Sequence, residues 1–164
     1  MIQIDFELSA AWSTVETRIL IAADEAALRY DVLLGDLVFV VNEVDFSTRW
    51  GWIPLLDLAY CLKRIADNLV TGESCGYFEF TESEAWLQFK RQRDGVEVAA
   101  SYAAGTARVD FNEICDALTA SSRAFVSKLR LQYPQLLQND AFCKMAAVID
   151  SPPTVKERVD SLPN

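Results

Sequence analysis

Apolar and polar side chains alternate near the start of the chain, which is the pattern of β-strands with one face in water. The first alternation covers residues 2–8 and directs one set of side chains towards a core: Ile2, Ile4, Phe6 and Leu8. A second alternation over residues 13–21 predicts another strand, with one side formed by Val15, Thr17, Ile19 and Ile21. We expect the second strand to pair with a neighbour.

An unbroken run of β-branched and aromatic residues follows at 37–41, bounded by Gly35 and Asn42. Such a run predicts a central strand that is covered on both faces. Further along, apolar residues recur every three and four positions, which predicts a helix over residues 54–70 with Pro54 in its first turn. The polar positions of this helix predict a solvated face, made of Asp57, Lys63, Arg64, Asp67 and Asn68.

The stretch after that helix predicts a meander of three antiparallel strands. Asp94 and Gly95 suit the positive φ angles of a two-residue type I′ turn, which makes Arg93 face Val96. A four-residue loop at 81–84 sets the register of the preceding hairpin. One side of the meander is then core, formed by Phe78, Phe80, Leu87, Phe89, Val96, Val98 and Ala100. The other side is polar apart from two aromatic residues and consists of Tyr77, Glu79, Trp86, Gln88, Lys90, Gln92, Glu97 and Ser101.

A second long helix is predicted to begin at Asp110, in a capping box with Glu113, and to end before Pro134. Apolar spacing over residues 136–149 predicts a last helix. Strands, a helix, strands and then helices predict an α+β fold, with about six strands in a largely antiparallel sheet and two to three helices packed on one face. Two small sheets that share the helix at 54–70 are the alternative.

Composition is that of an ordinary globular protein. The 164 residues are 51% hydrophobic and 24% charged. We expect residues 1–150 to form a single domain and residues 151–164, which contain three prolines, to form a loosely ordered tail. Apolar runs are far shorter than the roughly 20 residues of a membrane helix, and no signal peptide is recognisable. A cytoplasmic protein without a membrane partner is therefore predicted.

Acidic residues are concentrated in the first part of the chain. Residues 1–60 contain ten acidic and three basic side chains, whereas the formal net charge of the whole chain is −9. A negative field repels nucleic-acid phosphates and favours encounter with a basic protein surface. Solubility alone is the competing explanation of this charge. Direct nucleic-acid binding is not expected.

Catalytic signatures are missing from the sequence. The chain has no histidine, the side chain that most often moves protons or binds metals near neutral pH. It also lacks the motifs of phosphate loops, dinucleotide sites, nucleophile elbows and zinc proteases. Carboxylate pairs such as Asp31 with Asp36, or Glu43 with Asp45, are candidates for acid–base work or cation binding, with solvated surface charges as the competing interpretation. We expect no cofactor and no metal.

Four cysteines are spread widely along the chain: Cys61, Cys75, Cys115 and Cys143. No CxxC spacing is present, so reduced thiols are expected, and two disulfides would be the alternative in an exported protein. Cys61 is a minor candidate nucleophile because Lys63 and Arg64 lie near it in sequence and favour a thiolate.

Two aromatic groups are candidates for binding. Trp50 and Trp52 flank Gly51 and are expected to cap the core beside the helix start, with an exposed interface anchor as the alternative. Tyr77 and Trp86 lie on the polar side of the meander and are the better candidates for a binding surface, unless another element covers that side.

The segment WIPLLDLAYCLKRIADNLVTGES, which leads into GYFEFTESEAWLQFKRQRDGVEVAASY, resembles the immunity proteins that neutralise bacterial polymorphic toxins. The resemblance is to the class and covers most of the chain. It implies tight binding to a cognate toxin made by the same cell, either at the toxin's active site or elsewhere on it.

Charge and resemblance together yield a hypothesis for the binding residues. Acidic residues would steer a basic toxin, and exposed aromatic residues would anchor it. The predicted contacts are Asp24, Asp31, Asp36, Glu43, Asp45, Tyr77 and Trp86. Three other interpretations stay open: a small-molecule-binding or sensing domain, a carboxylate- or cysteine-dependent enzyme, and a homo-oligomer that buries the Tyr77 and Trp86 face against itself.

Overall fold

The computed structural model describes residues 1–14 and 16–153, and over these ranges the chain forms eight strands and five α-helices. The predicted α+β class is confirmed. The strands are β1 (Ile2–Leu8), β2 (Leu34–Val41), β3 (Val44–Asp45), β4 (Ile53–Pro54), β5 (Cys75–Glu79), β6 (Trp86–Gln92), β7 (Gly95–Ala100) and β8 (Thr106–Val109). The helices are α1 (Thr17–Ala22), α2 (Glu25–Tyr30), α3 (Leu55–Val70), α4 (Phe111–Gln132) and α5 (Asp140–Asp150).

The strands form two antiparallel sheets rather than a single one. The first sheet has the order β1-β2-β3, with β4 also paired to β2, and the second has the order β5-β6-β7-β8. Helix α3 contacts strands of both sheets. The arrangement is therefore the alternative considered above, in which two small sheets share this helix. A single sheet of six strands was the wrong expectation, because the long helix separates the two groups of strands along the chain.

Strand β2 is the central strand of the first sheet, as predicted. It pairs with β1 over its whole length, from Leu8 opposite Gly35 to Ile2 opposite Val41. On its core face, the side chains of Leu37, Phe39 and Val41 are fully buried. The expected coverage of both faces is wrong, because the opposite face, which includes Val38 and Val40, is only partly buried.

Residues 13–21 do not form the predicted strand. A 3₁₀ helix (Ala10–Thr14) and α1 occupy this part of the chain, and Val15 lies outside the described residues. Leu20 is buried, whereas Ile19 and Ile21 are exposed, so the alternating pattern does not match the burial. Asn139, which is distant in sequence, stabilises this conformation by direct contact. Its Nδ2 donates to the carbonyl oxygens of Leu20 at 2.8 Å and Ala23 at 2.7 Å.

The second sheet confirms the predicted core side of the meander, all of which is buried. The first hairpin has the predicted register, with Phe78 opposite Leu87. The second hairpin does not, because Val96 lies opposite Arg91, so that Arg93 and Asp94 form the loop. This shift of two positions keeps each side chain on its predicted face.

A packing constraint explains why glycine stands at the start of β7. Gly95 has a φ of +143°, and a Cβ at this position would lie 2.3 Å from the carbonyl oxygen of Val109. The glycine therefore permits the close approach of β8, and it is not the second residue of a type I′ turn.

Helix α3 matches its predicted bounds, with Pro54 as the N-cap residue. Its predicted solvated face is partly wrong, because Asp57 and Lys63 are buried where α2, α4 and α5 pack on the helix. Lys63 Nζ lies 2.5 Å from Asp67 Oδ2, and Asp57 Oδ1 accepts a hydrogen bond from Arg29 Nη1 at 2.6 Å. Each buried charge therefore has an opposite charge in contact with it.

Helices α4 and α5 agree with the predicted pattern, whereas α2 was not predicted. Asp110 caps α4 by accepting hydrogen bonds from the backbone N–H groups of Asn112 and Glu113. The reciprocal bond of the predicted capping box is not formed, because the Glu113 carboxylate lies 3.6 Å from the Met1 ammonium instead. The helix ends before Pro134, and a 3₁₀ helix (Pro134–Gln138) and α5 follow. Most of the predicted tail, residues 154–164, lies outside the described residues.

Replacement of Asn139 tests the contact that holds α1. We expect Asn139→Ala to lower the free energy of unfolding by about 2–4 kcal/mol, because buried carbonyl oxygens lose their donor and α5 loses its cap. Asn139→Asp keeps an acceptor for the cap but cannot donate, so it is expected to be at least as destabilising. Urea denaturation measures both, with the exposed Asn68→Ala as control. Full stability of Asn139→Asp would contradict this role.

Candidate functional site

A cavity of about 400 Å³ opens on the outer face of the first sheet. We call the surface that lines this cavity the acidic face. The cavity is lined by Glu7, Asp36, Val38, Val40, Asp45, Ser47, Thr48 and Arg49. Strand alternation builds this surface, because the residues of β1 and β2 that point away from the core lie beside one another. Glu7 stands opposite Asp36, and Asp45 stands opposite Val40. The two partly buried valines thus lie among three carboxylates.

Local hydrogen bonds hold two of these carboxylates in place. Asp36 Oδ1 accepts from the backbone N–H of Gly51 at 2.9 Å and from the hydroxyl of Thr48 at 3.4 Å. Asp45 Oδ1 accepts from the backbone N–H of Ser47 at 2.9 Å. Hydrogen bonds from the side chain and the backbone of Ser47 lower the pKa of Asp45 below its ordinary value. The Asp45 carboxylate is therefore ionised and oriented near neutral pH.

The predicted acidic residues are only partly brought together. Asp36 and Asp45 line the same cavity, and Glu43 is exposed in the turn that joins β2 to β3. Asp24 is instead the N-cap residue of α2, where it accepts from the backbone N–H of Ala27 at 2.9 Å. Asp31 is the C-cap residue of the same helix. These two residues belong to the helical region and do not line the acidic face.

Two charged residues of the acidic face, Glu7 and Arg49, are missing from the site predicted from the sequence. The alternation of β1 places Glu7 on the solvent side of the strand, but the pairing that sets it opposite Asp36 depends on the register between distant segments. Arg49 lies in the irregular segment after β3 and is exposed at the cavity. The alternation of β1 carried a signal for Glu7, whereas local sequence carried none for Arg49.

Tyr77 and Trp86 form an aromatic pair on the outer face of the second sheet. Their ring centroids are 6.0 Å apart, and the rings are inclined by 30°. Tyr77 is 51% exposed, and Trp86 is partly buried, as expected for residues on the open side of the meander. This pair lies on a different sheet from the acidic face, so the two are separate surfaces.

A shallow groove of about 340 Å³ runs between α3 and the edge strand β5. Tyr77 lines it from the strand, and the helix contributes Tyr60, Cys61, Arg64, Ile65 and Asn68. The groove is close to the aromatic pair because Tyr77 belongs to both. Its lining is largely uncharged, in contrast to the acidic face.

Trp50 and Trp52 cap the core, as the sequence indicated. Their rings stack with centroids 5.3 Å apart, and Trp50 makes edge contacts with Phe80 and Tyr102. The hydroxyl of Tyr102 donates to the carbonyl oxygen of Phe46 at 2.9 Å. These aromatic contacts join the two sheets, so this cluster has a structural role.

The cysteines are all free thiols, and Cys61 does not have the properties of a nucleophile. Burial, followed by the charge of Asp57, raises the pKa of Cys61 to about 12. Lys63 contacts Asp67, so it is not available to stabilise a thiolate. Burial likewise raises the pKa of Cys115 to about 11. The hypothesis of an activated Cys61 is therefore wrong.

Within residues 1–14 and 16–153, no three His, Cys, Asp or Glu side chains are grouped as metal ligands, and no helix is long and apolar enough to span a membrane. Comparison with protein-family models, curated proteins and solved structures gave no match.

Thiol reactivity tests the description of the cysteines. With a disulfide reagent at about pH 8, we expect Cys75 and Cys143 to react rapidly because both are exposed, while Cys61 and Cys115 react slowly until the protein is unfolded. Mass spectrometry of the labelled peptides identifies the sites. Rapid labelling of Cys61 in the folded protein would contradict the assignment.

Titration of Asp45 tests the geometry of the acidic face. We expect Ser47→Ala to raise the pKa of Asp45 towards its ordinary value, as measured by carboxyl ¹³C NMR, with Ser83→Ala as the control. A lowered folded-state pKa stabilises the protein above the unfolded-state pKa, and this contribution is lost as the pH falls through the folded-state pKa. The stability difference between wild type and Ser47→Ala should therefore shrink in acid. An unchanged Asp45 midpoint in Ser47→Ala would contradict the geometry.

Proposed function

We propose that this chain is a non-enzymatic immunity protein, which neutralises a cognate bacterial toxin by binding it directly. The observation that carries this proposal is the acidic face, where two valines lie among the carboxylates of Glu7, Asp36 and Asp45. Specific protein interfaces commonly combine a small apolar centre with a polar rim. A surface of this kind suits a partner that presents basic side chains around an apolar contact.

Long-range charge supports the same proposal. The ten acidic and three basic side chains of residues 1–60 give this part of the chain a net charge of −7. Both strands that form most of the acidic face belong to it. Such a field speeds the encounter with a positively charged protein and slows the approach of nucleic acid. A toxin that itself acts on an anionic substrate, such as a nuclease, would have the complementary charge.

The proposed interface is narrower than the set of residues predicted from sequence. It is centred on Asp36 and Asp45, with Glu43 at its rim. Asp24 and Asp31 remain predicted contacts, but their positions at the two ends of α2 give them no part in this cavity. Tyr77 and Trp86 form the separate surface on the second sheet.

The other functions considered have less support. An enzyme that uses a carboxylic acid as general acid needs a group that is protonated near neutral pH, and the hydrogen bonds from Ser47 lower the pKa of Asp45 instead. A small-molecule-binding domain would use a pocket such as the α3–β5 groove, which is shallow and largely uncharged. A small molecule that raises the melting temperature of the isolated protein would favour the small-molecule-binding function.

The decisive experiment is capture of the partner, followed by a test of neutralisation. We expect the tagged protein to retain one stoichiometric protein from an extract of its source organism at low salt. Expressed alone in a bacterial host, the captured protein should arrest growth, and co-expression with this chain should restore it. A captured protein that is harmless alone, or the absence of a stoichiometric partner, would contradict the proposal.

Charge reversal locates the contact. We expect Glu7→Lys combined with Asp45→Lys to weaken toxin affinity by about 10- to 100-fold and to reduce its salt dependence, because both carboxylates line the acidic face. The matched control is Glu82→Lys combined with Glu84→Lys, which changes the net charge equally in the β5–β6 loop. Equal effects of the two double variants would indicate general electrostatics rather than this face.

A further inference from the structure

The longer edge strands of the two described sheets are β1, β8 and β5, and β1 and β8 each have one outward backbone group bonded to a side chain. In β1, the hydrogen bond from Ser9 N to Leu34 O directs the odd-numbered residues towards β2, so the N–H of Phe6 points outward. Asp5 Oδ1 accepts that N–H at 2.8 Å. In β8, the carbonyl oxygen of Arg108 points outward and accepts from Asn42 Nδ2 at 2.9 Å.

Strand β5 differs from these two in that none of its outward backbone groups has a partner among the described residues. The hydrogen bonds from Phe80 N to Ala85 O and from Arg91 N to Ser74 O direct the even-numbered residues towards β6. Cys75, Tyr77 and Glu79 therefore point their N–H and C=O groups away from the sheet. Among the described residues, these groups have no hydrogen-bond partner. The strand also lacks the proline and lysine residues that commonly block an open edge.

We propose that β5 pairs with β5 of a second copy of this chain, antiparallel and around a two-fold axis at Tyr77. In this register Tyr77 faces Tyr77 of the second copy, and Cys75 faces Glu79. All three outward residues of each strand are then paired, which gives about six main-chain hydrogen bonds and one continuous sheet of the two copies. The exposed ring of Tyr77 meets its symmetry mate, and Trp86 flanks each ring.

Side-chain charges favour a second copy of this chain as the partner of β5. Lys90 lies between Cys75 and Glu97 in the sheet of one chain, and Lys90 and Cys75 are exposed. The two-fold axis brings Glu79 of the second copy next to Cys75, so that the long side chain of Lys90 reaches it across the small thiol. The charge imbalance that would repel a second copy is concentrated in residues 1–60, and the remaining residues carry fourteen acidic and twelve basic side chains. The acidic face stays open in the dimer because it belongs to the other sheet.

Sedimentation equilibrium tests the dimer without any toxin. We expect a dissociation constant on the order of 10 µM for a pairing of this size. Tyr77→Pro should raise this constant at least about 30-fold, because it removes two intermolecular hydrogen bonds while the lost N–H has no partner within the chain. A monomer at all concentrations up to about 1 mM would overturn the proposal. So would a dimer that withstands Tyr77→Pro with an unchanged circular dichroism spectrum.

A charge exchange identifies the register independently of the proline. Glu79→Lys should weaken the dimer about tenfold, because it places lysine beside Lys90 of the other copy. In a Glu97→Gln background, which removes the carboxylate opposite position 90, the double variant Glu79→Lys, Lys90→Glu should restore the dissociation constant of that background. Thr106→Lys, which changes the same outer face on the distant edge strand β8, should have no effect. Failure of the double variant to restore dimerisation would overturn the register, and protection of Tyr77 by the toxin in a monomeric protein would assign the aromatic pair to that partner instead.

Discussion

Helix α3 imposes the constraint on which the rest of the structure depends, because both sheets and three other helices pack against it. The contact with the second sheet is so close that a Cβ on Gly76 would lie 2.3 Å from Ile65 Cγ2. A helix buried on this scale must compensate its polar residues internally. Burial raises the pKa of Asp57, while the hydrogen bond and charge of Arg29 act in the opposite direction. The Lys63 ammonium meets the same requirement through Asp67.

The shared helix also keeps the two sheets distinct in character. Each sheet turns one side of its strands to α3 and the core, and each leaves an outer face in contact with solvent. The first outer face is rich in carboxylates, whereas the second carries both signs of charge and an aromatic pair. Such a molecule presents two chemically different surfaces that are held by one core, so each surface is free to serve a separate contact.

Features that depend on neighbouring residues were predictable from the sequence. The bounds of α3, the cap at Asp110 and the core side of the meander follow from periodicity and local hydrogen bonding. The errors came from contacts between distant segments. Asn139 holds the carbonyl groups of α1, and the approach of Val109 rather than a turn type explains Gly95. For the same reason the sequence identified the acidic residues as a group but not their positions in the fold. Strand pairing brings Asp36 and Asp45 to one cavity, whereas Asp24 and Asp31 lie at the two ends of α2.

The two hydrogen bonds accepted by Asp36 have an evolutionary consequence. Its carboxylate holds the backbone of Gly51 and the hydroxyl of Thr48, so replacing it disturbs the loop as well as the surface charge. Glu7 is exposed at the same cavity, and its side chain makes no hydrogen bond to the described residues. Mutations at Glu7 therefore change the pattern of surface charge at little cost in stability. Under the proposed function, Glu7 is the position at which the surface can adapt to a new partner with little loss of stability, while Asp36 preserves the structure of the adjoining loop.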